Sequence, residues 1–227
     1  MADGVLAHDV IYGRHAVEEA QRGRRQVLRV LTREDVSDEE LERRCGSPDH
    51  QGVIAEVEPY PYADPTTLLA DERALVLVLD RVQDPRNLGA ICRSAEVAGA
   101  SGVVIPERHS ASITAAACKA SAGAVEHLPV ARVRNLSDWL AGAKRDGAWV
   151  YGADASAETA HDSPDYEGRV VLVLGGEERG LRPRVADNCD VLVSISQRGR
   201  IASLNVGAAA AVLLFAASRV AEKGRGG

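Results

Sequence analysis

The sequence lacks the patterns that mark membrane, secreted and metal-binding proteins. Its 227 residues contain no apolar run of the roughly 20 residues that a membrane-spanning helix needs, and the first twenty carry four acids instead of an apolar signal segment. The four cysteines are scattered, without a CxxC pair or a histidine at ligand spacing, so neither a zinc site nor a disulfide framework is predicted. We therefore expect a cytoplasmic protein without a metal.

Several common enzyme motifs are missing as well. No GxGxxG follows a predicted strand, and the chain contains no GxxxxGKS/T phosphate loop, no GxSxG nucleophile turn and no HExxH pair. Dinucleotide-dependent enzymes, P-loop ATPases, serine hydrolases of the α/β type and zinc proteases therefore lose most of their support.

The chain also has no overall excess of positive charge. A net charge of -6 argues against a protein that binds nucleic acid through charge alone, but it hides a local basic segment. Between Arg14 and Arg33 there are six arginines and two glutamates. Taken by itself, this segment is better explained as an alternating, solvated helix surface without any function.

What is present is an alternation of short apolar runs with helical periodicity. This alternation predicts an α/β fold, in which a parallel sheet is covered by helices on both faces. Residues 75–79 and 170–174 are apolar throughout, as is typical of central parallel strands. The predicted strands are 27–32, 53–57, 75–79, 102–105, 149–152, 170–174 and 191–195, and the predicted helices are 14–21, 38–44, 88–98, 114–120, 136–145 and 206–220.

A proline-rich stretch divides the chain. Pro59, Pro61 and Pro65 break any regular element. The last helix is apolar nearly all round, so we expect it to be buried in a core or at a subunit interface. The predicted organisation is a disordered tail at 1–9, a small α/β unit at 10–60, a linker at 61–73, a larger domain at 74–221 and a second disordered tail at 222–227.

Three junctions at strand ends are the candidates for chemistry, because open α/β sheets bind ligands beyond the carboxyl ends of their strands. In the first junction, Asn87 can cap a helix, and Arg93 lies among small and apolar residues, where a guanidinium needs an anion such as phosphate. In the second, Gly175–Gly176 permits close backbone approach of a ligand, and Glu177 adds a carboxylate. In the third, the sequence over 203–205 starts the last helix. Capping and ordinary turns explain each junction alone, so their order carries the prediction.

Taken together, the junctions resemble the motifs of the SpoU, or TrmH-like, family of RNA ribose 2'-O-methyltransferases in the SPOUT group. The matching patterns are Asn87-x-Gly89-x-x-x-Arg93, Gly175-x-Glu177-x-x-Gly180 and Ser203-Leu204-Asn205. Residues 12–20, 49–53 and 121–130 look like the branch typified by RlmB, which methylates guanosine in 23S ribosomal RNA. That branch usually carries an N-terminal RNA-recognition domain.

The resemblance implies a homodimer formed through the C-terminal domain, whose chain is knotted as a trefoil. RNA is implied as the substrate, with no binding to DNA or to a membrane. It also implies S-adenosylmethionine as the methyl donor. The cofactor-binding residues would be Gly175, Gly176, Gly180, Ile195 and Leu204. The catalytic residues would be Asn87, Arg93, Glu177, Ser203 and Asn205. From the basic segment, the expected RNA contacts are Arg14, Arg22, Arg24 and Arg25.

A guanidinium stays protonated and is a poor general base, so the expected role of Arg93 is to hold the phosphate beside the target ribose and to stabilise a developing alkoxide. The phosphate, Glu177 or water would accept the proton. The alternatives are the same chemistry on transfer RNA, a ribosomal-RNA enzyme of antibiotic resistance, and a knotted RNA-binding protein without catalysis.

Overall fold

The computed structural model describes residues 8–176, 180–197, 199–200 and 204–223, with side chains as far as residue 218. Its strands are β1 (Asp9–Tyr12), β2 (Val27–Thr32), β3 (Val53–Val57), β4 (Leu75–Asp80), β5 (Gly102–Pro106), β6 (Val130–Val133), β7 (Ala148–Ala153), β8 (Thr159–Ala160), β9 (Arg169–Gly175) and β10 (Val191–Ser194). Its helices are α1 (Arg14–Arg22), α2 (Asp38–Cys45), α3 (Pro85–Val97), α4 (Ala115–Ala120), α5 (Leu136–Arg145), α6 (Pro183–Ala186) and α7 (Val206–Lys223).

The N-terminal unit is built on a three-stranded antiparallel sheet in the order β1-β3-β2. Helix α1 packs on this sheet because Ala16, Val17 and Ala20 share one buried face. The sequence does not predict β1, since four residues are too few to show a clear alternation. This strand begins at Asp9, so the prediction of a disordered tail over 1–9 is wrong at its last residue.

The larger domain contains a seven-stranded sheet in the order β6-β5-β4-β9-β7-β10-β8, and all neighbouring strands pair in parallel. The predicted α/β class is confirmed. Alternate residues of β4 face opposite cores: Leu75, Leu77 and Leu79 pack with α3 and α7. Val76 and Val78 pack with α5 on the other face. Burial on both faces explains why this strand is apolar up to its last residue.

The connection between the two units, predicted as a linker over 61–73, is docked on the large domain. Ala63 forms a parallel bridge with Ala131, beside β6. The hydroxyl of Tyr62 accepts a hydrogen bond from the Ile113 amide at 3.0 Å. These contacts attach the connection to the large domain.

The last helix, α7, continues to Lys223, so the first two residues of the predicted C-terminal tail are helical. Leu213 and Leu214 are buried against the sheet, but Val212 and Phe215 are exposed. The helix is therefore not buried on every side in a single chain. Within the described ranges, no helix is long and apolar enough to cross a membrane.

Candidate active site

The three predicted junctions lie at the carboxyl-terminal end of the large sheet, because β4, β9 and β10 are parallel and end there. The helix after β4 begins at a cap formed by Asp84, whose Oδ1 accepts a hydrogen bond from the Arg86 amide at 2.8 Å. Asp84 thus takes the capping role that the sequence allowed for Asn87. Asn87 lies inside the first turn, and its side chain serves another contact.

That contact joins the first junction to the third. The Nδ2 of Asn205 donates a hydrogen bond to the Oδ1 of Asn87 at 3.2 Å, across 118 positions of sequence. The orientation of the Asn205 amide is fixed, because its Oδ1 accepts from the amides of Gly207 at 2.8 Å and Ala208 at 3.3 Å. The start of α7 is therefore capped by the same side chain that reaches α3.

The second junction is the glycine loop, residues 175–180, whose described ends are glycines. Gly176 and Gly180 form an isolated bridge, in which the Gly180 amide donates to the Gly176 carbonyl at 3.1 Å. A Cβ on Gly175 would lie 2.0 Å from the Gly180 carbonyl carbon, and Gly180 itself has a φ of 61°. Both positions therefore require glycine. Glu177 falls within the loop and, like Ser203 in the third junction, lies outside the described residues.

A buried carboxylate holds the far side of this loop, and the sequence interpretation missed it. Asp80 is fully buried at the end of β4, where it pairs with Gly175 of β9. It accepts hydrogen bonds from the backbone amide of Arg182 at 3.0 Å and from the Arg182 Nε at 2.7 Å. The available signal was a single acid ending an otherwise apolar strand, since a buried carboxylate needs a partner.

The next residue, Arg81, has a left-handed backbone with a φ of 67°. Its carbonyl fills the space beside Gly176, where a Cβ would lie 2.6 Å from the Arg81 oxygen. A non-glycine residue in this region of φ and ψ is strained, and such strain is concentrated at functional sites. The neck of the glycine loop and the end of β4 are thus fitted to each other backbone to backbone.

Arg93 is exposed on α3 and makes no hydrogen bond or ion pair with any described residue. The expectation that its apolar neighbours in sequence surround it is wrong, because Ile91, Cys92 and Ala95 face the core instead. Arg93 follows Asn87 by six residues, a rotation of about 240° around the helix, so the two side chains leave α3 in different directions. Its guanidinium is open to a ligand from solvent.

Cys92 lies in the same helix but does not suit nucleophilic catalysis. Burial raises the pKa of this thiol to about 12, which keeps it protonated near neutral pH. In the part of the chain that the structure describes, no three potential metal ligands among His, Cys, Asp and Glu lie together.

Of the predicted cofactor residues, Ile195 is partly buried against the core that contains α3 and α7. Leu204, in contrast, has 46% of its surface exposed. The structure therefore presents an apolar side chain at the start of α7, on the same edge of the sheet as the glycine loop.

The predicted RNA contacts separate into two groups. Arg14 and Arg22 are exposed, and Arg22 pairs with Glu18 at 2.8 Å. Arg25 is buried against Glu126, so the prediction that it contacts RNA is wrong. Arg24 is exposed, although its Nη2 donates to the Leu128 carbonyl at 2.7 Å. Adjacent arginines look equivalent in sequence, but only the fold decides which one meets its partner.

Comparison with known proteins points to one family. Residues 74–215 match the sequence model described as the SpoU rRNA Methylase family. A Bacillus subtilis protein named as a TrmH family tRNA/rRNA methyltransferase, YacO, is 35% identical, with 92% of this chain and 94% of that protein covered. A Mycobacterium sp. (strain KMS) protein named as a tRNA/rRNA methyltransferase is 45% identical over 82% of this chain. This chain spans 60% of the length of that mycobacterial relative.

The fold has solved counterparts as well. The SpoU methyltransferase AviRb from Streptomyces viridochromogenes, in complex with the cofactor AdoMet, superposes with a TM-score of 0.79. The two proteins are 27% identical in sequence, and the superposition covers 95% of this chain and 91% of AviRb. The likeness therefore includes the N-terminal unit as well as the large sheet.

Proposed function

Because the chain belongs to the SpoU rRNA methylase family, we propose that it transfers a methyl group from S-adenosylmethionine to the ribose 2'-hydroxyl of a nucleotide in RNA. The preferred target in this proposal is a guanosine of 23S ribosomal RNA. The observation that carries it is the hydrogen bond between Asn87 of the first motif and Asn205 of the third. The glycine loop, which contains the second motif, follows β9 at the same end of the sheet.

The methyl donor is proposed to bind beyond the carboxyl-terminal ends of β9 and β10. No atom of a described residue lies within 4 Å of the place where a Cβ on Gly180 would stand. Leu204 offers exposed apolar surface of the kind that an adenine ring packs against. When bound, S-adenosylmethionine supplies a methyl group on a positively charged sulfur. The residues proposed to hold it are Gly175, Gly176, Gly180, Ile195 and Leu204.

The proposed catalytic residues divide the remaining work. Arg93 grips the phosphate beside the target ribose, a role that its exposed guanidinium supports, and it stabilises the alkoxide that develops as the hydroxyl attacks. Asn87 and Asn205 orient the ribose. Glu177 and Ser203 complete the proposed pocket, and the proton passes to the phosphate, Glu177 or water.

RNA is proposed to contact the N-terminal unit through the basic residues that remain on its surface. Arg14 and Arg33 line a shared cavity of 370 Å³, which Gln21 and Gln51 also border. Amide and guanidinium groups are suitable donors to phosphate and 2'-hydroxyl oxygens. This cavity is added to the expected contacts Arg22 and Arg24, which are exposed, and Arg25 is withdrawn because it is buried.

The proposal further includes a homodimer formed through the C-terminal domain, a knotted C-terminal chain path and a cytoplasmic location. Transfer RNA remains the second candidate substrate, because the relatives are named as tRNA/rRNA methyltransferases. The choice between the two RNAs depends on the substrate assay below.

The purified protein should be incubated with S-adenosylmethionine and with ribosomal or transfer RNA from cells that lack it, and the digested nucleosides analysed by mass spectrometry. We expect 2'-O-methylguanosine in 23S ribosomal RNA. Methylation confined to transfer RNA would select the second candidate, and a methylated base with an unmodified ribose would contradict the proposed chemistry.

The same assay tests Arg93. Replacing it with Ala should lower the single-turnover rate on the order of 10²-fold, because a charged donor to the reacting group is lost. Glu96→Ala is the matched control, since Glu96 is exposed on the same helix, and it should leave the rate unchanged. Equal rates for Arg93→Ala and the control would exclude the proposed role.

A further inference from the structure

An ion pair is sealed between the N-terminal unit and the large domain. The side chains of Arg25 and Glu126 are each 1% exposed, and the Arg25 Nε lies 3.1 and 3.0 Å from the two carboxylate oxygens. The guanidinium also lies over the ring of Tyr60, 5.7 Å from its centre, and its Nη2 is 3.2 Å from the Cys118 sulfur. Every side of this arginine is therefore occupied by protein.

Glu126 is the counter-charge of this pair. Burial raises the pKa of the Cys118 thiol to about 11, so that the thiol is neutral near pH 7. When an ion pair is buried, the free energy of hydration that it loses is about as large as the attraction that it gains. A protein with an apolar pair of the same size at that place is often as stable. The pair is thus better explained by the geometry that it imposes than by stability, since it is satisfied in one arrangement only.

Directional contacts surround the pair and end on the same short segment, residues 125–128. The Tyr60 hydroxyl donates to the Val125 carbonyl at 2.8 Å, and the Arg24 Nη2 donates to the Leu128 carbonyl at 2.7 Å. The His127 Nε2 lies 2.7 Å from a carboxylate oxygen of Glu19 on α1. Apolar contacts tolerate small shifts between two surfaces, whereas these hydrogen bonds and ion pairs form only in one relative position of the two units.

The segment leads directly to the proposed active site. It follows α4, whose last turn packs against α3 at Gly89. A Cβ on Gly89 would lie 2.5 Å from the Ala117 carbonyl and 2.9 Å from the Ser121 amide nitrogen, so the two helices touch backbone to backbone. Gly89 stands two residues after Asn87 and four before Arg93.

We infer that Arg25 and Glu126 are positioning residues that lock the N-terminal unit in one orientation relative to the helix carrying Asn87 and Arg93. The lock fixes the span between the RNA-contacting cavity of the N-terminal unit and the methyl-transfer site. Only RNAs that present both contacts at that span are then methylated. The orientation follows from the contacts alone, whereas its effect on substrate choice rests on the proposed function.

The orientation is measured by pulsed electron paramagnetic resonance. Spin labels are placed at Leu28→Cys on β2 and Val97→Cys on α3, both exposed, in a background of Cys45→Ser and Cys189→Ser. Labelled chains are diluted with unlabelled ones, so that distances within a chain dominate. We expect one narrow distance distribution in the parent protein.

The double variant Arg25→Met with Glu126→Leu removes the directional pair without leaving a buried charge. It should broaden the distance distribution at least twofold, and Arg25→Lys, which keeps the charge, should broaden it less. The control is Arg43→Met with Glu40→Leu, a pair on α2 within the N-terminal unit with side chains 71% and 28% exposed, which should leave the distribution narrow. An unchanged width in the Arg25/Glu126 double variant would overturn the lock.

Substrate choice is then read by mapping 2'-O-methyl sites in ribosomal RNA treated in vitro. The Arg25/Glu126 double variant should methylate additional sites and show a higher KM for RNA with kcat changed less than twofold. A broadened distance distribution with an unchanged set of sites would overturn the role in selectivity. If the parent protein methylates no RNA, the proposed function fails, while the distance measurement still decides the lock.

Discussion

At the scale of single residues, Asn205 combines a structural role with a role in the site. Its Oδ1 caps α7 through the Gly207 and Ala208 amides, and its Nδ2 faces Asn87. Aspartate has the same shape and caps helices equally well, but it cannot donate a hydrogen bond from its ionised carboxylate. The two roles can therefore be separated by one substitution.

We predict that Asn205→Asp leaves the thermal stability near that of the parent, while the single-turnover methylation rate falls at least tenfold. Asn205→Ala loses the cap as well, which should cost about 1 kcal/mol and lower the Tm by about 2–4 °C. Calorimetry and rapid-quench assays measure the two effects. If Asn205→Asp retained the full rate, the Nδ2 contact would have no part in the reaction.

Residues that act through local sequence could be predicted, and residues that depend on a distant partner could not. Asn87 and Asn205 stand in recognisable motifs, and the structure places them in contact. The burial of Arg25 depends on Glu126, which lies 101 positions further along the chain. No local pattern distinguishes Arg25 from its exposed neighbours before the N-terminal unit is docked.

At the scale of elements, the contact between α3 and α4 depends on a helical glycine. We predict that Gly89→Ala destabilises the protein by about 1–3 kcal/mol, because the new Cβ would meet the Ala117 carbonyl at 2.5 Å and force the helices apart. It should also lower the methylation rate, since α3 carries Asn87 and Arg93. Urea unfolding with the methylation assay measures both.

Gly142→Ala is the matched control, since this glycine also lies within a helix, α5. The nearest atom to its added Cβ is the Arg145 Nη2 at 3.8 Å, so there is room for the methyl group. Alanine has the higher helix propensity, and we expect a gain of up to about 1 kcal/mol. A Gly89→Ala protein as stable as the control would contradict close backbone packing at this point.

Long periodic elements could be predicted from the sequence, and short edge elements could not. The bounds of β2, β3 and α5 agree with the predicted 27–32, 53–57 and 136–145. Strand β8 has two residues, too few for a periodicity of its own, and it is recognised by its pairing with β10. Strand β6 has four residues, one of them the exposed Arg132, and its pairing with β5 defines it.

At the scale of the whole molecule, the order of the strands depends on which chain segments cross the sheet, and a periodic pattern does not contain that information. The sequence predicts central strands because they are apolar on both faces, but it does not say that β9 lies between β4 and β7. The same limit applies to association between chains. An apolar helix predicts burial without saying what buries it.

Helix α7 is such a helix, because part of its apolar surface is exposed in the single chain. Val212 and Phe215 are exposed one turn apart, and with Tyr166 and Ala216 they border a cavity of 410 Å³. On the same cavity, the Nδ1 of His161 is buried without a hydrogen-bond partner among the described residues. Exposed apolar side chains beside an unsatisfied polar atom are typical of a surface that another chain covers.

The proposed homodimer supplies that cover, and we predict that Val212→Asp with Phe215→Glu converts the protein from a dimer to a monomer. Light scattering during gel filtration should give twice 24.1 kDa for the parent and 24.1 kDa for the variant. Val97→Glu, at a more exposed apolar position on α3, should remain dimeric. The double variant should dissociate because the new carboxylates, buried at the interface and facing their copies, would lose hydration without gaining a partner. A monomeric parent at micromolar concentration, or a double variant that stays dimeric, would mean that α7 is not the interface.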